Sequence, residues 1–181
     1  MEQYIAFLRG INVSGQKILK MDVLRKVLSD YGLSEVKTYI QSGNVLFKSN
    51  FRDEMQLVQE IEDLIENEFG FRTDVILRKT KDLEFILNSS PIGKLSIAED
   101  LRYYITFLKY PFTGPTTIPS FSKNKDIEIV FHNGLDFISI SREHKGSYGF
   151  PNSFIEKTTK IPATTRNPNT LEKILALAGD C

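Results

Sequence analysis

The chain has 181 residues, 41% hydrophobic and 11% aromatic, enough to bury one large core or two small ones. Its 23 basic and 23 acidic side chains cancel, so no overall field draws it to nucleic acid or to a membrane, and any such binding needs a local patch. A single cysteine, Cys181, excludes an internal disulfide framework and fits a reducing cytoplasm, while two histidines, His132 and His144, leave too few soft ligands for an intramolecular zinc site.

The N-terminus has no basic leader, its apolar run is too short for a signal-peptide core, and no stretch approaches a membrane span. The expectation is a soluble cytoplasmic protein with no membrane partner. Residues 3 to 9 read as a strand apolar on both faces, Tyr4, Ala6 and Leu8 against Ile5 and Phe7, which belongs at the centre of a sheet. A polar loop follows to Lys20, with the cations Arg9, Lys17 and Lys20, two glycines and no acid. Met21, Leu24, Val27, Leu28 and Tyr31 then fall at helical spacing, and Gly32 supplies the stop. Residues 35 to 41 alternate, Val36, Thr38 and Ile40 against Lys37, Tyr39 and Gln41, and Ser42-Gly43 reads as a two-residue turn into a strand from Asn44 to Lys48. From Asp53 to Phe69 the stripe Leu57, Val58, Ile61, Leu64, Ile65 and Phe69 marks a helix whose other face, with seven acids and no base, is read as solvated. After Gly70, Asp74 to Arg78 is a short strand.

The order through residue 79 is strand, helix, strand, strand, helix, strand, the split βαβ pattern of a ferredoxin-like alpha-beta plait. Right-handed crossovers put its first and third strands in the centre. Residues 80 to 89 read as a connecting helix broken by Pro91 and Gly93. Beyond it Arg102 to Leu108 is a strand, and Tyr110 to Lys125, with Pro111, Pro115 and Pro119, a loop. Asp126 to Phe131 and Leu135 to Ser141 are strands joined through His132-Asn133-Gly134, in which Asn-Gly is the hairpin signal and His132 a turn-edge residue. Pro151 to Lys160 reads as a helix with Ser153 and Glu156 at capping-box spacing, Ala163 to Arg166 as a last strand and Asn169 to Ala178 as a final helix. The second half repeats the first without its first helix. The fold class is therefore α+β, two tandem ferredoxin-like plaits with antiparallel sheets at 1–79 and 102–181, joined by a helix and linker at 80–101.

Three loops gather polar chemistry. In the opening loop, Gly10 and Gly15 stand at P-loop spacing, but Gln16 intervenes before Lys17 and Ile18 replaces the hydroxyl residue needed for Mg²⁺, so a true P-loop is rejected. The loop still offers backbone N–H groups and cations to an anion, or is simply solvated. In Arg142 to Gly149, Glu143, His144 and Ser147 follow no catalytic spacing, and a solvated loop is the favoured reading. In Thr164 to Thr170, either Asn167 caps a helix with Pro168 at its first position, or Asn169 caps it with Glu172 as box partner. Both alternatives bring Thr165, Arg166 and free N–H groups to a helix N-terminus, an anion site unless they serve only the fold.

Leu8-Arg9-Gly10-Ile11-Asn12-Val13, Thr38-Tyr39-Ile40-Gln41-Ser42-Gly43-Asn44-Val45 and Thr164-Thr165-Arg166-Asn167 ahead of Asn169-Thr170 resemble the signature blocks of a bacterial family called domain of unknown function 1697. The resemblance spans nearly the whole chain. It implies two alpha-beta plaits and no established activity, cofactor or catalytic residue. Pro168 stands where the family commonly has Trp, so a stacking contact made there by relatives would be missing here. The blocks select Arg9, Asn12, Ser42, Asn44, Arg166 and Asn167, to which the loop chemistry adds Lys17 and Thr165.

The expected function is binding of a nucleotide or other phosphate-bearing small molecule by these eight residues at a polar cleft between the plaits. Whether a reaction follows is left open, as are a cofactor and homo-oligomerisation. One alternative is an RNA-binding plait, for which Phe7 and Phe47 would have to lie solvent-exposed on the sheet; the neutral net charge disfavours nucleic acid. The other is a non-enzymatic protein-interaction module.

Overall fold

Two-sided burial decides where the first strand goes. In the computed structural model, which describes residues 1–13, 15–88, 100–115 and 117–179, β1 (Glu2–Leu8) is buried on both faces from Tyr4 onward. It is followed by α1 (Met21–Asp30), β2 (Ser34–Tyr39), β3 (Asn44–Ser49), α2 (Glu54–Phe69), β4 (Val75–Lys79) and α3 (Thr80–Asn88). The first sheet is antiparallel with order β2-β3-β1-β4, so β1 and β3 are central. Alternation puts Tyr4, Ala6 and Leu8 on one face with Val45, Phe47, Val75 and Leu77, and the helix stripes Leu24, Leu28, Leu57, Ile61 and Ile65 close over them as one apolar cluster. Asp53 caps α2, its Oδ1 accepting from the N–H groups of Met55 and Gln56 at 2.9 and 3.1 Å, and Gly70 ends the helix at φ 74°.

The second sheet is built from β5 (Leu101–Leu108), β6 (Ser120–Phe121), β7 (Ile127–His132), β8 (Asp136–His144), β9 (Ser147–Tyr148) and β10 (Ala163–Arg166), with α4 (Asn152–Thr159) and α5 (Pro168–Gly179). Its order is β10-β5-β8-β7-β6, with β9 paired to the end of β8, again all antiparallel. When β5, β7, β8 and β10 are counted one to four, the order is the same as in the first sheet. Leu108, Ile129, Phe137, Ile155 and Ala163 form the core under α4. The chain is thus mixed alpha and beta, with two antiparallel sheets and five helices among the described residues. It divides into two compact units, Met1–Leu83 with Lys173–Cys181, and Glu84–Glu172.

Several local expectations are corrected. The link from β2 to β3 is four residues, 40–43, rather than a two-residue turn, because Tyr39 pairs with Asn44. Ile40 takes a left-handed backbone, φ 51°, and leaves the alternation 52% exposed. Glu62, counted on the solvated face of α2, is buried and its Oε1 accepts from the Val75 N–H at 2.8 Å, fastening β4 to the helix. The proline-rich segment before residue 125 contains the short strand β6. The loop expected at 142–149 is a tight hairpin, with His144 opposite Ser147 and both Lys145 and Gly146 at positive φ, as a right-twisted two-residue hairpin demands. Ser153 and Glu156 form no capping box, since Pro151 occupies the cap and Glu156 Oε1 accepts from the Ala163 N–H. The connecting helix is α3; its expected stop at Pro91 and Gly93 lies outside the described residues.

Candidate functional site

The eight residues selected from the sequence fall into two sets, one in each unit. Arg9, Asn12, Lys17, Ser42 and Asn44 lie in the first unit, at the end of the sheet where β1 stops and β3 and β4 begin. Asn12, at φ 53°, donates from Nδ2 to the carbonyls of Leu19 and Gln41 at 3.0 and 2.8 Å and accepts the Leu19 N–H at 2.8 Å, so both ends of its amide join the opening loop to the 40–43 link. Asn44, 1% exposed, donates to Tyr39 O and Ser42 Oγ at 3.0 and 2.9 Å and closes that link. Lys17 donates to Arg72 O at 2.7 Å, and Arg9 pairs with Asp74 at 3.5 Å. Gly43 must be glycine twice over. Its φ is +75°, and a Cβ would meet Leu8 Cβ at 2.7 Å and Ile11 Cδ1 at 2.9 Å. The two signature blocks of this unit are therefore one interlocked pair of loops.

In the second unit, Thr165 is 4% exposed and its hydroxyl donates to Asn152 Oδ1 at 3.0 Å. One hydroxyl proton makes one bond, so Thr106 is the donor in the 2.8 Å contact between the two threonines. Arg166 donates to Thr164 Oγ1 and Thr165 O at 2.7 and 2.9 Å, and burial lowers its guanidinium to about 10, still a cation at neutral pH. Asn167 is the cap of α5. Its Oδ1 accepts the Thr170 N–H at 2.8 Å, with Pro168 in the first helical position, which settles the choice between the two capping schemes.

Next to that cap the strands run out unequally. β10 pairs only with Ile105 to Leu108, whereas β8 accompanies β5 from Leu101 onward. Leu108 donates its N–H to Leu135 O and Lys109 donates to Pro162 O, so even residues of β5 bond on the β8 side and odd residues on the β10 side. By the same alternation the N–H and C=O groups of Leu101 and Tyr103 point to an edge that no strand among the described residues covers. The first turn of α5 faces this edge. Between them lies a groove of about 330 Å³ lined by residues 101–104 and by Asn167, Pro168, Asn169 and Glu172.

The groove combines charge, dipole and aromatic surface. The Arg102 guanidinium lies 4.8 Å over the Tyr148 ring, and Tyr104 meets the half-exposed Phe150 edge-on at 5.4 Å. The Asn169 N–H finds no acceptor among the described residues, as expected in the first turn of a helix. Tyr103, 9% exposed, has a hydroxyl with no hydrogen-bond partner among them. Of the eight residues expected, only Asn167 lines this groove. Arg102, Tyr103 and Tyr104 were not among the candidates, and Asn169 and Glu172 entered only as an alternative cap and its box partner; the signal was the mismatch between a four-residue last strand and the eight-residue strand it pairs with. Among the described residues no cluster of three His, Cys, Asp or Glu could hold a metal ion, and no helix is long and apolar enough to cross a membrane.

A solved structure of the conserved bacterial protein SP0830 from Streptococcus pneumoniae is similar to this chain, with a TM-score of 0.70 and 27% identity over 97% of this chain and 98% of that one. No curated protein matches it. The sequence profile of the family described as protein of unknown function, DUF1697, matches residues 1–134, covering both interlocked blocks and the strands β5, β6 and β7 of the second sheet. The chain belongs to the DUF1697 family.

Proposed function

We propose that the protein binds a phosphate-bearing small molecule in the groove beside β5, and that residues 1–79 and 102–181 each form a ferredoxin-like plait, although residues from Lys173 onward group with the first compact unit. The repeated strand order supports the plait reading; the segment after β5 replaces the first crossover helix. The binding reading rests on one observation, that a single groove brings together Arg102, the first turn of α5 and the uncovered backbone edge at Tyr103. Helix N-termini and guanidinium groups favour anions, and about 330 Å³ is at the small end of the range for ligand sites, roughly 300–1,000 Å³. The other seven expected residues act here as positioning groups: Thr165 and Arg166 fix β10, and the first-unit set fixes its loops. The RNA-binding alternative gains nothing from Phe7 and Phe47, both fully buried.

A thermal-shift screen tests the reading with wild type and Arg102→Ala against inorganic phosphate, sugar phosphates, nucleotides and short RNA at low and high salt. Arg102 is exposed, so its loss leaves the fold intact, whereas Arg166→Ala would disturb β10. A phosphate compound at a hundred times its Kd adds about 2.7 kcal/mol of stability, a visible shift. The expected result is a salt-resistant shift with small phosphate compounds that Arg102→Ala weakens at least tenfold. No shift with any phosphate compound, or a shift only with RNA that fades with salt, overturns the reading.

A further inference from the structure

We infer that the phosphate compound is a nucleotide whose base is read by the open edge of β5. The inference rests on the groove reading above and narrows it. Three features of the groove are superfluous for a bare phosphate. The first is the backbone of Tyr103, which turns an N–H and a C=O to the same side, as a residue does toward a neighbouring strand. A donor and an acceptor side by side match the edge of a nucleobase, which carries its own acceptor and donor on adjacent atoms. The second is the aromatic pair Tyr104 and Phe150, with Phe150 56% exposed beside a groove residue, a surface on which a flat ring can stack. The third is Glu172, one helical turn beyond Asn169. A carboxylate there repels a second anion and accepts hydrogen bonds from sugar hydroxyls, so it suits a ligand that is anionic at one end and hydroxylated next to it.

The binding mode follows from the placement of these groups. The phosphate lies at Arg102 and the Asn169 N–H, the ribose hydroxyls donate to Glu172, and the base pairs with the Tyr103 N–H and C=O with its face toward Phe150. No covalent step is involved.

Amide hydrogen exchange on the full chain tests this, because the Tyr103 N–H is part of the proposed contact and needs no mutation to probe. Purine and pyrimidine nucleoside monophosphates, ribose 5-phosphate and inorganic phosphate are each added at a concentration that saturates the thermal shift. A nucleotide is expected to slow Tyr103 exchange at least tenfold while ribose 5-phosphate and inorganic phosphate do not, to bind at least tenfold more tightly than ribose 5-phosphate, and to lose most of that advantage in Phe150→Ala. If ribose 5-phosphate binds as tightly as any nucleotide, or the Tyr103 amide exchanges equally fast with nucleotide bound, the base contact is wrong and the phosphate reading survives. If none of the phosphate compounds binds, both fall together.

Discussion

The two units differ in how completely their buried polar groups are paired. In the first, Asn44, Ser49, Glu62, Thr73, Arg78 and Thr80 are buried, and each makes a hydrogen bond within the unit. In the second, Tyr103 Oη, His132 Nδ1, Ser139 Oγ and Ser141 Oγ are enclosed with no partner among the described residues. The first unit's sheet ends are tied by Asn12 and Asn44, while the second leaves a strand edge uncovered beside a helix N-terminus. Buried polar groups without partners are uncommon in folded proteins, because each loses its hydration without replacement. Among the described residues these unpaired groups are concentrated in the second unit, while the buried polar residues named in the first serve its architecture.

The comparison is broken most directly at Gly43. An alanine there must hold a left-handed backbone, a penalty of about 1–2 kcal/mol, and crowd Leu8 and Ile11, about 1–3 kcal/mol more. Gly43→Ala should therefore lower the urea midpoint by an amount equivalent to about 2–5 kcal/mol at unchanged slope. A change under about 1 kcal/mol would mean the two loops are not interlocked, and the signature blocks would be free for a ligand after all.

Asn12→Ala is the next largest. It strands the Leu19 N–H and the carbonyls of Leu19 and Gln41, so a loss of about 1–3 kcal/mol is expected, with no change in phosphate binding. The informative outcome is the reverse pattern: normal stability with impaired binding would move the site to the first unit.

The placement of the elements was legible because the signals are local. Helical stripes, the Asn-Gly hairpin and the two-sided burial of Tyr4 to Leu8 all depend on residues within a turn or two of each other. The site was not. Polar residues in signature blocks look like ligands or like latches until their partners are known, and the partners of Asn12 and Lys17 stand 29 and 55 residues away. Glu62 read as solvated because the N–H it accepts belongs to the strand after the helix. Ile40 left the alternation because the link to β3 needed left-handed residues. The groove is a property of two strand lengths taken together, and Arg102 and Tyr104 carry no motif of their own.

The smallest expected effect has the opposite sign and tests the other half of the comparison. Ser139 and Ser141 sit two apart on β8, both 0% exposed, opposite Tyr104 and Arg102 of β5. Removing a satisfied buried hydroxyl normally destabilises, whereas removing one that has already lost its hydration relieves a standing penalty. Ser139→Ala and Ser141→Ala should each leave stability unchanged or raise it by up to about 1 kcal/mol, and the double variant should add the two effects unless the hydroxyls share a buried water. Thr165→Val provides the control within the same unit, because its hydroxyl bonds Thr106 and Asn152, and it should destabilise by about 1–3 kcal/mol. Were the serine variants to destabilise as much as that control, their hydroxyls would be bonded, and the orphaned polarity that sets the second unit apart would shrink to Tyr103 and His132. The open edge of β5 would then carry the assignment of the ligand site alone.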